Sequence, residues 1–300
     1  MTPNDTALLE PGWRERWCEV GDTNLHVIEA GRAGNPMFVM LHGFPEFWWA
    51  WRYQITPLAE AGFHVVAPDL RGYNLSTAPQ NVSAYGLEIL AEDIVRLAEA
   101  LGSERFYLAG HDWGAVIGWV VAACYPEQVM KAVLISGPHP EAWVEQIYRS
   151  PAQLLRSWYV GFFQLPWLSE RILGAFNFAR LKAALRRSAK ENTFSSQKLK
   201  PYVGAWARPG ALSCMLAYYR ALRRPLKRLP SHQIKTPVEV IWGNKDRFLG
   251  RGLMEASLAR CAAGPLTVID DGTHWLHLEQ PELIAEHLVD LIGSHPKPIS

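Results

Sequence analysis

Six short, nearly continuous apolar runs punctuate the chain: P-M-F-V-M-L-H-G (36–43), F-H-V-V-A-P-D-L (63–70), F-Y-L-A-G-H-D (106–112), M-K-A-V-L-I-S-G (130–137), V-E-V-I-W-G-N-K-D (238–246) and L-T-V-I-D-D-G (266–272). Runs this short, broken by glycine, proline or aspartate, predict strands buried on both faces. Ahead of them, W-C-E-V and L-H-V-I-E-A (17–20, 25–30), joined by G-D-T-N, predict a β-hairpin. Between the strands, segments 84–101 and 114–125 carry apolar residues at helical period. Alternation of strand and helix on this scale predicts an α/β fold, with a mostly parallel sheet and helices on both faces.

The alternation stops at residue 138. From P-H-P to about 232 the chain is rich in Trp, Phe, Tyr and Arg, has helical periodicity and shows no strand pattern. Strand patterning resumes at T-P-V-E-V-I-W. A helical insert between two strands, at their carboxyl ends, lies over the usual ligand crevice of an open α/β sheet. The expected organisation is a core of residues 1–137 and 233–300 with a helical cap of residues 138–232.

Bulk properties narrow this picture. Three hundred residues suit one large domain with an insert better than two ordinary domains. The start, M-T-P-N-D-T-A-L-L-E, has neither a basic nor an apolar leader region, and no run approaches 18 uncharged apolar residues. The expectation is therefore a chain without a transmembrane segment. Cys18, Cys124, Cys214 and Cys261 have no metal or disulfide spacing and suit a reducing, cytoplasmic setting. No Gly-rich phosphate loop is present, so no nucleotide cofactor is expected, and the scattered cysteines give no reason to expect a metal. Charge is uneven. Residues 151–232 hold fifteen Lys and Arg against two Glu, a net of +13 in a chain whose total is +1, leaving −12 for the rest. Such a segment suits anionic lipid or nucleic acid. The simpler expectation is a basic segment lying on an acidic one, with no nucleic-acid partner and only weak peripheral contact with membranes.

Candidate chemistry starts at A-G-H-D-W-G-A (109–115), which has the G-x-Nuc-x-G frame of a strand–turn–helix elbow with Asp112 at the nucleophile position. An aspartate there equally suits a helix N-cap. A triad on this fold requires an acid and then a histidine after late strands. Asp246 closes one late strand and His274 follows the next, in G-T-H-W-L-H-L-E-Q-P. His277, Asp270 and Asp271 are nearby rivals of lower rank. H-G-F-P (42–45) ends the first buried strand, so the backbone N–H groups of Phe44 and Trp113 are candidates for an oxyanion hole.

These motifs resemble the epoxide hydrolases of the α/β-hydrolase fold. The resemblance rests on H-G-F-P-E-F-W-W-A-W-R-Y-Q (42–54), D-L-R-G-Y (69–73), G-H-D-W-G (110–114), C-Y-P-E (124–127) and G-T-H-W-L-H-L-E-Q-P (272–281), and spans about residues 12–293. It is nearest to single-domain relatives of the vertebrate membrane-anchored members, and the expectation is a chain without their N-terminal anchor. The phosphatase-like domain of the two-domain soluble enzymes is likewise not expected. The resemblance implies two cap tyrosines: Tyr159 in W-Y-V-G-F-F-Q-L-P, and Tyr219 in A-Y-Y-R, with Tyr218 as the adjacent rival. One departure is Asn74 in G-Y-N-L-S, where the family usually has glycine; Asn tolerates the left-handed backbone that such a turn needs.

The chemistry is consistent with this resemblance. A carboxylate with an ordinary pKa of about 3.9 is already ionised at neutral pH and can attack a saturated carbon without a base. An epoxide gives an ester on Asp112 and an alkoxide, which a phenol of ordinary pKa about 10 can protonate. His274, oriented by Asp246, would then activate water against that ester. The nearest alternative is a haloalkane or haloacid dehalogenase, in which the Trp113 indole would hold the halide. An alternative of another class is a non-catalytic ligand receptor on the same scaffold. Phe44, Trp48, Trp49, Trp158, Phe162 and Phe163 predict an apolar substrate pocket, so the expected partners are a small apolar epoxide and water.

Overall fold

The apolar runs assemble into one eight-stranded sheet in the computed structural model, which describes residues 8–223, 229, 233–262 and 264–290. The strands are β1 (Arg14–Val20), β2 (Thr23–Ala30), β3 (Met37–Leu41), β4 (His64–Pro68), β5 (Phe106–His111), β6 (Val129–Ile135), β7 (Val238–Gly243) and β8 (Leu266–Ile269). Their spatial order is β1-β2-β4-β3-β5-β6-β7-β8. The first two pairings, β1 with β2 and β2 with β4, are antiparallel, and every later pairing is parallel. Strands β3, β4, β5 and β7 are buried at every position, which is why their sequences do not alternate. The predicted hairpin closes through a two-residue turn, Gly21–Asp22, with Val20 opposite Thr23.

Helix Leu87–Ala100 starts later than its period suggested, because Val82–Tyr85 forms a 3-10 turn and Gly86 is extended between them. Helix Trp113–Cys124 is apolar all round and buried from Trp113 to Ala123. A helix with no polar face needs cover on all sides, and it lies against β3, β5 and β6.

All helices between β6 and β7 belong to one insert, running from Pro140–Arg149 to Ala211–Ala221, with no strand among its described residues. Its predicted end at 232 lies outside the described residues. Several polar contacts fasten it to the core. The Trp206 indole donates to Pro45 O at 2.6 Å, and the Tyr218 hydroxyl donates to Arg71 O at 2.7 Å. Arg208 Nε donates to Asn74 Oδ1 at 3.1 Å. Asn74 has φ 40, so the turn keeps its left-handed residue, and the amide that replaces glycine serves as an anchor for the cap. Among the described residues no helix is long and apolar enough to cross a membrane.

Candidate active site

The carboxyl ends of β3, β5 and β7 and the loop after β8 meet at one edge beneath the cap. At the end of β5 Asp112 adopts φ 51 and ψ −115. A non-glycine residue held there stores on the order of 1–3 kcal/mol of strain. The surrounding backbone enforces it: Asp112 N–H donates to Ile135 O at 3.1 Å, and Asp112 O accepts Val116 N–H at 3.0 Å. Glycines let the neighbours close in. A Cβ on Gly114 would lie 2.1 Å from Leu41 O, and one on Gly43 would lie 2.4 Å from Asp112 Cβ. The Asp112 side chain does not cap the following helix, despite its N-cap position. Instead Oδ1 accepts the Phe44 N–H at 2.8 Å. His42 shapes that loop by donating from Nδ1 to Gly43 O and accepting Leu70 N–H at Nε2, each at 3.0 Å.

The other Asp112 oxygen, Oδ2, lies 3.4 Å from His274 Nε2. His274 Nδ1 lies 2.8 Å from Asp246 Oδ2, and Asp246 Oδ1 accepts the N–H groups of Phe248 and Leu249 at 2.8 and 3.1 Å. Burial disfavours the imidazolium, but the Asp246 and Asp112 carboxylates outweigh it and push His274 up to about 10. The resting site therefore holds one cation between two anions.

Above the triad is a cavity of about 960 Å³, lined by Asp112, His274, Phe44, Tyr159, Tyr219 and Phe163 among others. Tyr159 and Tyr219 face each other edge-on with ring centroids 5.9 Å apart. Enclosure by protein pushes both phenols well above their usual range, and the Asp112 carboxylate adds to this. Tyr218 is elsewhere: its hydroxyl is spent on Arg71 O, under the cap. Trp158 stands at the cavity mouth and Phe163 deeper inside.

Trp48 is a correction. It begins the 3-10 turn Trp48–Trp51, and its backbone N–H donates to Asp69 Oδ1 at 3.0 Å. Its ring packs in the core against Trp13 and Phe47, away from the cavity. Trp49 is likewise no part of the lining; Arg52 covers its ring at 3.9 Å. The Trp113 indole is buried edge-on against the Tyr219 ring, with centroids 4.9 Å apart. It is not among the cavity walls.

The rivals of His274 and Asp246 have other employment. Asp271 pairs with Lys190 at 2.6 Å on the surface, and Asp270 is exposed. His277 joins Glu46 and His111 in a buried cluster behind the triad, which no motif reading singled out. His111 Nε2 lies 2.9 Å from His274 O, a group that can only accept, so this nitrogen carries a proton. His111 Nδ1 lies 2.9 Å from Glu46 Oε2, so a proton lies between them as well. Tyr202 donates to Glu46 Oε1 at 3.2 Å. Burial opposes charge on Glu46, but its hydrogen bonds with His277 and His111 hold its carboxyl well below the usual range. Burial drives His277 down to about 4, leaving it neutral. The ligand atoms of Glu46, His111 and His277 lie within 4.8 Å of one another. His111 and His277 each hydrogen-bond Glu46, His277 Nδ1 has no partner among the described residues, and none of the three is among the walls of the cavity above the triad, so the arrangement is that of a brace beneath His274. The only sequence signal for it is adjacency, since Glu46 follows H-G-F-P and His111 precedes Asp112.

Fold and site together define an α/β-hydrolase, and residues 36–281 match the family model described as the alpha/beta hydrolase fold. The chain is 39% identical over 279 residues to the AB hydrolase superfamily protein YfhM of Bacillus subtilis, covering 92% of this chain and 97% of that protein. It is 38% identical over 265 residues to human epoxide hydrolase 4, covering 86% of this chain and 73% of the relative. Among solved structures, a point variant of an epoxide hydrolase from Bacillus megaterium superposes with a TM-score of 0.84 at 31% identity, covering 93% of this chain and all of that one. The chain belongs to the epoxide hydrolase family of the α/β-hydrolase fold.

Proposed function

We propose that the protein converts apolar epoxides to vicinal diols through an ester on Asp112. The observation that carries this reading is the division of labour at the Asp112 carboxylate. One oxygen is held by the Phe44 N–H, while the carboxylate as a whole opens into a cavity shared with the phenols of Tyr159 and Tyr219. An Asp112 oxygen attacks an epoxide carbon, the ring C–O bond breaks, and the alkoxide takes a proton from Tyr159 or Tyr219. The Trp113 ring packs edge-on against Tyr219, whose side chain lines the cavity.

Esterification removes one of the two anions that keep His274 charged. Its affinity for the proton falls, and the proton passes to the tyrosinate, leaving a neutral imidazole oriented by Asp246. His274 then takes a proton from water, and the hydroxide attacks the Asp112 carbonyl carbon. The Phe44 and Trp113 N–H groups hold the oxyanion. Collapse releases the diol and returns Asp112 to a carboxylate and His274 to an imidazolium. A dehalogenase would need an N–H facing the halide, whereas the Trp113 ring is buried against Tyr219 and is not among the cavity walls.

One turnover in ¹⁸O-water tests the ester directly. Label is expected in the Asp112 peptide and not in the first-turnover diol; the reverse distribution sinks the mechanism. His274→Gln is expected to accumulate the ester, visible as a mass increase of the intact protein, and Asp112→Ala to form none. The double variant Tyr159→Phe, Tyr219→Phe is expected to slow ring opening by roughly 10²–10⁴-fold. Undiminished opening removes the tyrosines from the mechanism. With Phe163, Leu173 and Leu185 in the walls, aryl and long-chain aliphatic epoxides are the substrates expected. A preference for small charged epoxides in a substrate panel overturns that class.

A further inference from the structure

Of the eleven strongly exposed large apolar side chains among the described residues, nine fall between Val144 and Phe176, in the first half of the cap. All nine lie on the stretch of cap chain, residues 144–176, that supplies part of the cavity wall. Leu155 and Trp158 line the mouth directly, and they are 74% and 68% exposed. Phe176, 88% exposed, occupies a turn between wall residues Leu173 and Ala179. That turn is costly. Phe176, Asn177 and Phe178 are successive left-handed residues with φ 52, 54 and 58, a conformation that side chains other than Gly and Asn resist by roughly 1–2 kcal/mol each. Phe178 recovers some of this by packing on Trp206, whereas Phe176 projects into solvent. Trp167, also at positive φ, is 68% exposed beneath the Arg171 guanidinium.

The same rim is cationic. Between Tyr148 and Arg187 the chain carries seven Lys and Arg against one acid, Glu170, which is taken up by Arg220 at 2.7 Å. Arg156, Arg180, Arg187 and Arg247 line the mouth. The expectation of internal neutralisation thus fails at this face: of the basic residues in 151–232, only Lys190 and Arg220 meet a carboxylate among the described residues.

We propose that the cap rim is a docking surface for an anionic lipid bilayer, with Trp158, Trp167 and Phe176 entering the headgroup region and the arginines pairing with lipid phosphates. Exposed aromatics set among basic residues suit that interface, where apolar burial and charge attraction act together. Charge selects this occupant over a second copy of the chain, because a two-fold contact through the rim would set the same arginines against each other. The docked orientation turns the cavity mouth toward the membrane. Delivery of an apolar epoxide from the lipid rests on the reaction proposed above, but the docking itself does not.

Co-sedimentation of the full chain with vesicles tests the docking without reference to activity. Binding is expected to vesicles of equal parts phosphatidylcholine and phosphatidylglycerol, to weaken with salt, and to be at least about tenfold weaker to phosphatidylcholine alone. The pair Arg171→Glu, Arg180→Glu and, separately, the pair Trp167→Gly, Phe176→Asn are each expected to weaken binding about tenfold or more. Asn and Gly keep the positive φ accessible, and thermal unfolding reports whether each variant folds. No binding to anionic vesicles, or equal binding by folded variants of both pairs, overturns the proposal. So does concentration-dependent dimerisation that the Trp167→Gly, Phe176→Asn pair abolishes in the absence of vesicle binding, which would assign the surface to a second copy.

Discussion

His274 holds its proton because two carboxylates face its two ring nitrogens, Asp246 at 2.8 Å and Asp112 at 3.4 Å. Replacing Asp112 with Ala is expected to lower the His274 pKa from about 10 toward its ordinary 6.5. Titration of the imidazole by NMR measures this, and an unchanged value means that Asp112 does not hold the proton there. The same shift links to stability. A histidine whose folded pKa is raised contributes stability fully below its unfolded pKa and loses it as pH rises through the folded one. The contribution of His274 is therefore expected to fade between about pH 6.5 and pH 10, seen as a decline in melting temperature that His274→Gln flattens. Single residues were readable here when their role is set by position on a strand end. Asp112, Asp246 and His274 follow β5, β7 and β8, and local sequence fixes where each strand stops. The burial of Trp48 is not legible locally, because its ring packs on Trp13 and its backbone N–H is held by Asp69, both distant in sequence.

At the level of elements, the elbow is a three-part contact among the end of β3, the Asp112 turn and helix Trp113–Cys124. Gly114 is its tightest point. Gly114→Ala would press a methyl group to 2.1 Å from Leu41 O, so either the strand or the helix must shift. The expected cost is about 3 kcal/mol or more in chemical denaturation, with loss of activity even in the folded fraction. A cost below about 1 kcal/mol would show that the elbow can relax. The core elements were legible because non-alternating apolar runs and helical periods are local signals, and the six predicted runs became β3 to β8. The cap was legible as helical but not in detail. The break in Leu168–Ser188 at Ala175–Phe178 has no proline or glycine within those four residues, and Phe178 finds its partner, Trp206, only in the folded chain.

Across the whole molecule, the cap roofs the site through a few long-range polar contacts. Trp206→Phe removes the indole donor to Pro45 O, next to Phe44. A loss of about 1 kcal/mol is expected, with a fall in melting temperature of about 2–4 °C. A weakened KM for the epoxide should accompany it, because Pro45 and Phe44 form part of the cavity wall. Unchanged KM and stability would mean that the contact carries no load. The sequence by itself determined the order of strands and helices, the three strand-end residues and the existence of a helical roof. Each of these follows from local periodicity, turn chemistry and chain order. Only the tertiary structure decided that Tyr219 and not Tyr218 faces the cavity, that Glu46 and His111 brace His274 from behind, and that the basic cap meets few acids. Those outcomes depend on which distant surfaces come together, and a one-residue rotation of a helix or the reach of one side chain is enough to exchange them.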